Sequence, residues 1–311
     1  MRTTGNWRNR LRKVGLAALS CAVGVGGAVA MSAPAQAAAG QAAVVDQRSG
    51  VKIFSLGSSS WKGSPLWSWN APRTAAWKNV SDVKFRTYGG RKVVLVTASG
   101  GRAAIIDYST KKTRWTASPG GNPHAIELLP NGAVVVASSS GKLTAYGKGK
   151  SSGRSYSFPS AHAVLWEPGT KRLWALGGTK LCSYKVGGSA TSPTLTGKAC
   201  RTTPSGGHDL SPVYGASAQL WLSTTSHVYT YNINRGTLSR ASGYIDNSRI
   251  KSVGNHAGGL VVTTRVTKAN SDGTWGTGNV WLYKLNGSYV GNRYRPGAAI
   301  YKARPVVWSY R

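Results

Sequence analysis

Six residues able to hold a proton or an anion recur along this chain at the heads of short apolar runs: Lys84, His124, His162, His208, Lys251 and Lys302. The steps between them are 40, 38, 46, 43 and 51 residues. Histidine supplies a donor, a base or a metal ligand near neutral pH, and lysine a compact cation for carboxylate or phosphate. Arg86 and Arg304 stand two residues beyond their lysines, and Asp82, Glu127 and Asp209 lie beside the same positions. With only eight acids in the chain, that proximity favours specific pairing. If these residues converge, they make a basic and imidazole pocket suited to an anion. His124, His162 and His208 together could also hold a divalent metal with one position open, although no local His-x-x-x-His spacing supports this and the cofactor is otherwise left open. A histidine before an inner strand can instead tie its own loop to a neighbouring strand, and that alternative stays open for each of the three.

Convergence requires elements that bring distant segments to one place. A period near forty residues, each unit carrying several short strands, is the pattern of a β-propeller blade. Runs such as Lys92–Thr97, Ala133–Ala137, Gln219–Ser223 and Gly259–Thr264 read as strands, with Gly-rich turns between them. Leu181–Lys185 is followed by a looser segment that contains Cys200. The residues before Ser81 supply only three strands, so Tyr301–Trp308 is expected to complete that blade as its innermost strand. The expectation is an all-β, six-bladed β-propeller, closed by pairing of the C-terminal strand with the N-terminal blade. The heads of the innermost strands would then rim one mouth of a central funnel. Trp67, Trp69, Trp166, Trp174, Trp221 and Trp281 fall inside the apolar runs and are expected to pack blade against blade.

Residues 1–37 read as a secretory signal: a basic head ending at Lys13, an apolar and small-residue run from Val14 to Met31, and Ala35-Gln-Ala37 before the cleavage point. Residues 38–311 are expected to form a single propeller domain, secreted and extracellular, monomeric, with no membrane span after cleavage. Cleavage removes five of the 40 cations and none of the eight acids, which leaves a net charge of +27. It also removes Cys21, leaving Cys182 and Cys200 to form a disulfide across one blade's outer hairpin. Nucleophile elbow, phosphate-cradling loop and paired Cys-x-x-Cys motifs are missing, and His227 and His256 lie off the anchor pattern. The positive charge suits an acidic polysaccharide or an anionic cell-wall polymer, and the sequence lacks basic patches with nucleic-acid geometry.

The segments Ser81–Arg86, Asn122–Pro130, Gly206–Pro212, Ile250–Gly254 and Tyr301–Arg304 resemble those of a secreted actinomycete-type β-propeller family catalogued only as a domain of unknown function, number 6528. The resemblance runs from about Val44 to Arg304. It implies a propeller and export, and no activity. The leading expectation is an extracellular propeller that binds an anionic ligand, an acidic glycan or cell-wall polymer, through Lys84, Arg86, His124, His162, His208, Asp209, Lys251, Lys302 and Arg304. A polysaccharide lyase or hydrolase using funnel His, Lys and Arg is the second reading. A scaffold for protein partners is the third.

Overall fold

The structure is a computed structural model that describes residues 40–310; the segment expected to be a secretory signal, with Cys21, lies outside the described residues. Among the described residues twenty-three strands form six small antiparallel sheets. Blade 1 begins with β1 (Gln41–Asp46), β2 (Gly50–Ser55) and β3 (Trp67–Asn70). Blade 2 is β4 (Val80–Tyr88), β5 (Arg91–Ala98), β6 (Arg102–Asp107) and β7 (Thr113–Ala117). Blade 3 is β8 (Pro123–Leu128), β9 (Val134–Ser138), β10 (Lys142–Tyr146) and β11 (Gly153–Ser157). These runs are apolar without strict alternation because blades cover both faces of each sheet: Val93 to Val96 are all buried. Tyr88 pairs directly with Arg91, so Gly89 and Gly90 form a two-residue hairpin turn, and their φ values of 55° and 71° explain why both are glycine.

Blade 4 contains β12 (Ala161–Glu167), β13 (Arg172–Ser189) and β14 (Ser192–Gly207). The looser segment expected around Cys200 is in fact a 16-residue strand. Within β13, residues up to Gly177 pair with β12 and those from Gly178 pair with β14. Arg172 Nε reaches Ser183 Oγ at 2.9 Å, whereas eleven residues of straight strand would separate them by roughly 36 Å. The chain therefore doubles back at Gly177-Gly178, where Gly178 has φ 56°. Cys182 and Cys200 face each other across β13 and β14 and are joined by a disulfide.

Blade 5 is β15 (Asp209–Pro212), β16 (Gln219–Ser223), β17 (Val228–Asn232) and β18 (Thr237–Arg240). Blade 6 is β19 (Ile250–Asn255), β20 (Leu260–Arg265), β21 (Asn279–Lys284) and β22 (Tyr289–Tyr294). The last strand, β23 (Ile300–Pro305), pairs antiparallel with β1, Val44 opposite Ala303, and becomes the innermost strand of blade 1. This is the closure expected from the sequence, and it leaves no unpaired inner edge. Among the described residues no helix is long and apolar enough to cross a membrane.

The core is divided among the blade-to-blade seams. Trp67 and Trp69 of blade 1 share a cluster with Phe85 of blade 2, Trp174 of blade 4 with Tyr231 of blade 5, and Trp221 of blade 5 with Tyr283 of blade 6. The seam between blades 6 and 1 holds Val262, Val280 and Leu282 against Ala42, Val44 and Ala303. The tryptophans expected to pack between blades do so. These seams fix the angle between neighbouring sheets, and with it where the inner strands β4, β8, β12, β15, β19 and β23 aim their side chains.

Candidate functional site

Each inner strand begins with the same irregularity. In β4 the pairing skips Ser81, in β8 His124, in β12 His162, in β19 Lys251 and in β23 Tyr301. In blade 5, Ser223 pairs with Asp209 and also accepts the His208 N–H at 2.8 Å, so His208 occupies the equivalent place. Two residues facing one is a β-bulge, which turns the extra residue out of the pleat. Two positions earlier the backbone is left-handed in five blades: Asn79, Asn122, Ser160, Gly206 and Arg249 have φ between 52° and 76°. Backbone geometry therefore aligns Ser81, His124, His162, His208, Lys251 and Tyr301, at steps of 43, 38, 46, 43 and 50 residues.

Five of these six line a cavity of about 450 Å³ at one mouth of the channel. Ser81 is too short to join them and instead donates to the carbonyl of Pro123 at 2.6 Å. The rings of His124 and His162 lie 4.5 Å apart, those of His162 and His208 5.0 Å, and Tyr301 is 5.8 Å from His124. His162 Nδ1 lies 2.8 Å from Ser160 O; a carbonyl only accepts, so Nδ1 carries the proton and Nε2 the lone pair. His124 Nδ1 is set against Pro123 O at 3.2 Å in the same sense. At His208 the order reverses: Lys251 Nζ donates to Nε2 at 3.0 Å, and the buried Nδ1 finds no partner.

Burial, more than charge, sets the protonation of this mouth. It pushes His162 down to about 4. His208 falls to about 2 through burial and then Lys251, and His124 lies well below its ordinary value through burial and then His162. Burial and the nearby Arg249 lower Lys251 to about 8, while burial raises Tyr301. At neutral pH the mouth thus holds three uncharged imidazoles, a phenol and one lysine. Gln47, Asn79, Ser99 and Asn122 add neutral donors and acceptors, and no carboxylate lines the cavity.

Lys84, Arg86, Asp209, Lys302 and Arg304, grouped with the histidines in the sequence, lie deeper. They are among the best buried charged side chains of the protein and are engaged with one another. Arg304 grips Asp82 at 2.8 Å and Asp209 at 2.5 Å, and Lys302 lies 3.2 Å from Asp209. Arg86 makes a two-pronged contact with Glu127 at 2.8 and 2.6 Å. Lys84 crosses the channel to the carbonyls of Ile126, at 2.9 Å, and Val164. Burial would raise Asp82 and Asp209, but Arg304 and Lys302 hold both below the usual carboxylate range; burial lowers Lys84 to about 8 against Glu127 and Asp82. These residues form the floor beneath the mouth. The bulge explains the separation: Lys84 lies three residues past its bulge and Lys302 one, so neither shares the depth of the histidines.

Among the described residues no three His, Cys, Asp or Glu side chains are placed to hold a metal ion. The cavity also contains a residue with no signal in the repeat, Trp275, which is 43% exposed and has Lys251 Nζ 5.7 Å from its ring centre. Its loop is pinned to blade 1: Trp275 N–H donates to Gln47 Oε1 at 2.6 Å, and Arg48 holds Asp272 at 2.7 Å. Tyr301, Asn79 and Asn122 were also missed; the two asparagines, each two residues before a bulge, were the legible sign. His227 binds Asp246 at 3.0 Å and His256 the carbonyl of Gln41 at 2.9 Å, both away from this cavity. Asp46 caps its own turn through Ser49 and the Ala299 N–H.

A family model described as a family of unknown function (DUF6528) matches residues 41–307. None of the curated proteins compared with the chain is similar to it in sequence. Among solved structures, a protein of unknown function from Bacteroides caccae superposes with a TM-score of 0.60 at 11% identity, covering 86% of this chain and 98% of that one. The dihydro-heme d1 dehydrogenase NirN gives 0.49 at 14% identity over 84% of this chain and 55% of its own, and Kuenenia stuttgartiensis hydrazine synthase 0.48 at 12% over 71% and 66%. At 11% identity the likeness to the Bacteroides caccae protein concerns the fold alone.

Proposed function

The chain belongs to this family of unknown function, DUF6528, so its activity has to be argued from the mouth of the channel, and we propose that it is an exported binding protein for an acidic glycan or anionic cell-wall polymer. The observation that carries this reading is the composition of the cavity: three neutral imidazoles, Lys251, planar amides and an exposed tryptophan, without one carboxylate. Sugars are held by stacking of a ring face on an aromatic side chain and by planar polar groups that match their hydroxyls. An acidic sugar adds a charge that needs a cation, and here the floor contributes too, with four cations set against three carboxylates. The net charge of +27 left after cleavage of the signal draws polyanions toward the surface.

A lyase is the second reading, favoured by His162, whose bound Nδ1 leaves Nε2 with the lone pair and whose ring feels the charge of Lys251. Hydrolysis by a carboxylate pair finds no support in a cavity that lacks carboxylates. The deciding experiment measures binding and product formation in parallel on acidic and neutral polysaccharides, with and without divalent metal, for the exported protein and a His124→Ala, His162→Ala, His208→Ala variant. Salt-sensitive binding of acidic chains without product is the expected result. Product that vanishes in the variant while binding persists would establish the lyase; failure to bind any acidic chain would end the glycan reading.

A further inference from the structure

Five cations, Lys84, Arg86, Lys251, Lys302 and Arg304, belong to the channel, and four of them have a carboxylate within 3.9 Å. Among the described residues Lys251 has none: the charged groups that act on it are the cations Arg249 and Lys302, and its ammonium rests on the neutral Nε2 of His208. It is only 8% exposed, so solvent compensates it poorly. A cation buried without a counter-charge is unfavourable, and proteins keep such a group where something else brings the charge. His208 adds a second unsatisfied group, since its Nδ1 is buried without a partner. Lys251 and His208 both line the 450 Å³ cavity, and the face of Trp275 lies beside Lys251.

We propose that Lys251 and His208 form the seat for one oxyanion of the ligand, with Trp275 stacking on the sugar ring that carries it. This rests on the glycan reading and assigns the charge a position within that site. The oxyanion accepts from the Lys251 ammonium, now drawn off His208 Nε2, and from His208 itself once its proton sits on the freed Nε2 in place of the buried Nδ1. The rest of the mouth, Gln47, Asn79, Asn122 and Ser99, then meets neutral hydroxyls. A uronic-acid carboxylate and a polymer phosphate share this chemistry, and the seat would take either.

The test uses isothermal titration with three probes: trigalacturonate, its carboxyl-reduced neutral counterpart, and a short glycerol-phosphate oligomer. The wild-type protein should prefer the trigalacturonate to the neutral sugar by about ten- to a hundredfold, the range of one charge-assisted hydrogen bond. Lys251→Met should abolish that preference while leaving the neutral sugar bound within about twofold. Its melting temperature should hold or rise, because an unpaired buried cation has been replaced by an apolar chain of similar length. His208→Gln should weaken only the charged probes, and Lys251-dependent binding of the glycerol phosphate alone would support the seat and make its ligand a phosphate polymer. A Lys251→Met protein that keeps its preference for acid, or loses both sugars equally, or melts earlier, would overturn the seat and leave the glycan reading standing. Wild-type protein that binds none of the three would overturn both.

Discussion

His124, His162 and His208 lie ring to ring, and burial keeps them uncharged where free histidine would titrate. The charged groups facing them reinforce this: Lys251 and Lys302 stand beside His162 and His208, and His124 faces His162 and Lys302; in the opposite sense act the Pro123 carbonyl and Asp82 on His124 and the Ser160 carbonyl on His162. An unfolded chain binds a proton at each histidine as pH falls through about 6.5, whereas the folded protein resists until about 4 at His162 and about 2 at His208. The unfolded state then holds more protons, so stability should fall as the pH is lowered from about 6.5 to 4, by up to about 1.4 kcal/mol per unit for each imidazole. Below that range the depressed carboxyls of Asp82 and Asp209 remove more stability as they protonate. Urea midpoints between pH 4 and 7.5 should show this slope, and a His→Gln variant at all three positions should flatten it; a slope shared equally by both proteins would assign it elsewhere. Histidines in three blades were legible because residue type repeats with the period. Lys84 and Lys302 were misaligned for a physical reason: a bulge inserts one residue without altering the apolar pattern around it, so matching by chemistry placed Lys84 where the backbone puts Ser81, and Lys302 where it puts Tyr301.

At the scale of elements, the mouth is built by turns as much as by strands. Most strands can be read from apolar runs closed by glycine, and the run Leu181–Lys185 is the second arm of the folded β13. The loop between β20 and β21 is long and polar, with no apolar pattern of its own. Its arrangement depends on contacts far away in sequence: Asp272 accepts from Thr274 at 2.7 Å and from Arg48, and Thr277 exchanges two backbone hydrogen bonds with Ile300. No local pattern encodes a partner 224 residues distant. The consequence is that Trp275 is held over the cavity rather than left on a free loop. Asp272→Ala should release it, with faster hydrogen exchange at the Trp275 amide, weaker binding of acidic and neutral sugars alike, and little change in melting temperature, as expected when an exposed ion pair is lost. Unchanged exchange at that amide would mean the Gln47 contact suffices to hold the loop.

For the propeller as a whole, the C-terminal segment both closes the ring and seals one end. Beyond β23, Val306 N–H donates to Gln41 O at 2.9 Å, and the chain then crosses the end of the channel opposite the histidines. Trp308 packs edge-on against Phe85 and Tyr108, at 5.1 and 4.8 Å, and its carbonyl accepts from Thr87. Tyr214 reaches Ser309 O, and the Tyr310 hydroxyl binds Leu128 O at 2.7 Å while its ring lies 4.6 Å from the Arg86 guanidinium. Blades 2, 3 and 5 are thereby strapped to blade 1, and the Arg86–Glu127 pair is shielded from water. The mouth is consequently a blind pocket above a charged floor, and the strap should govern stability without touching recognition. A chain ending after Val306 loses the burial of Trp308, its two aromatic contacts and the cover over Arg86, together about 2–4 kcal/mol. For a domain of this size that lowers the melting temperature by roughly 4–8 °C. Affinity for acidic sugar at 20 °C should stay within about twofold of the intact protein, because the bulged residues that line the mouth are set by strand pairing the strap does not make. Trp308→Ala should reproduce most of the thermal loss. An affinity that falls in step with stability would show that the two ends of the channel are coupled through Lys84 and Arg304; an unchanged melting temperature would show that pairing of β23 with β1 alone holds the ring.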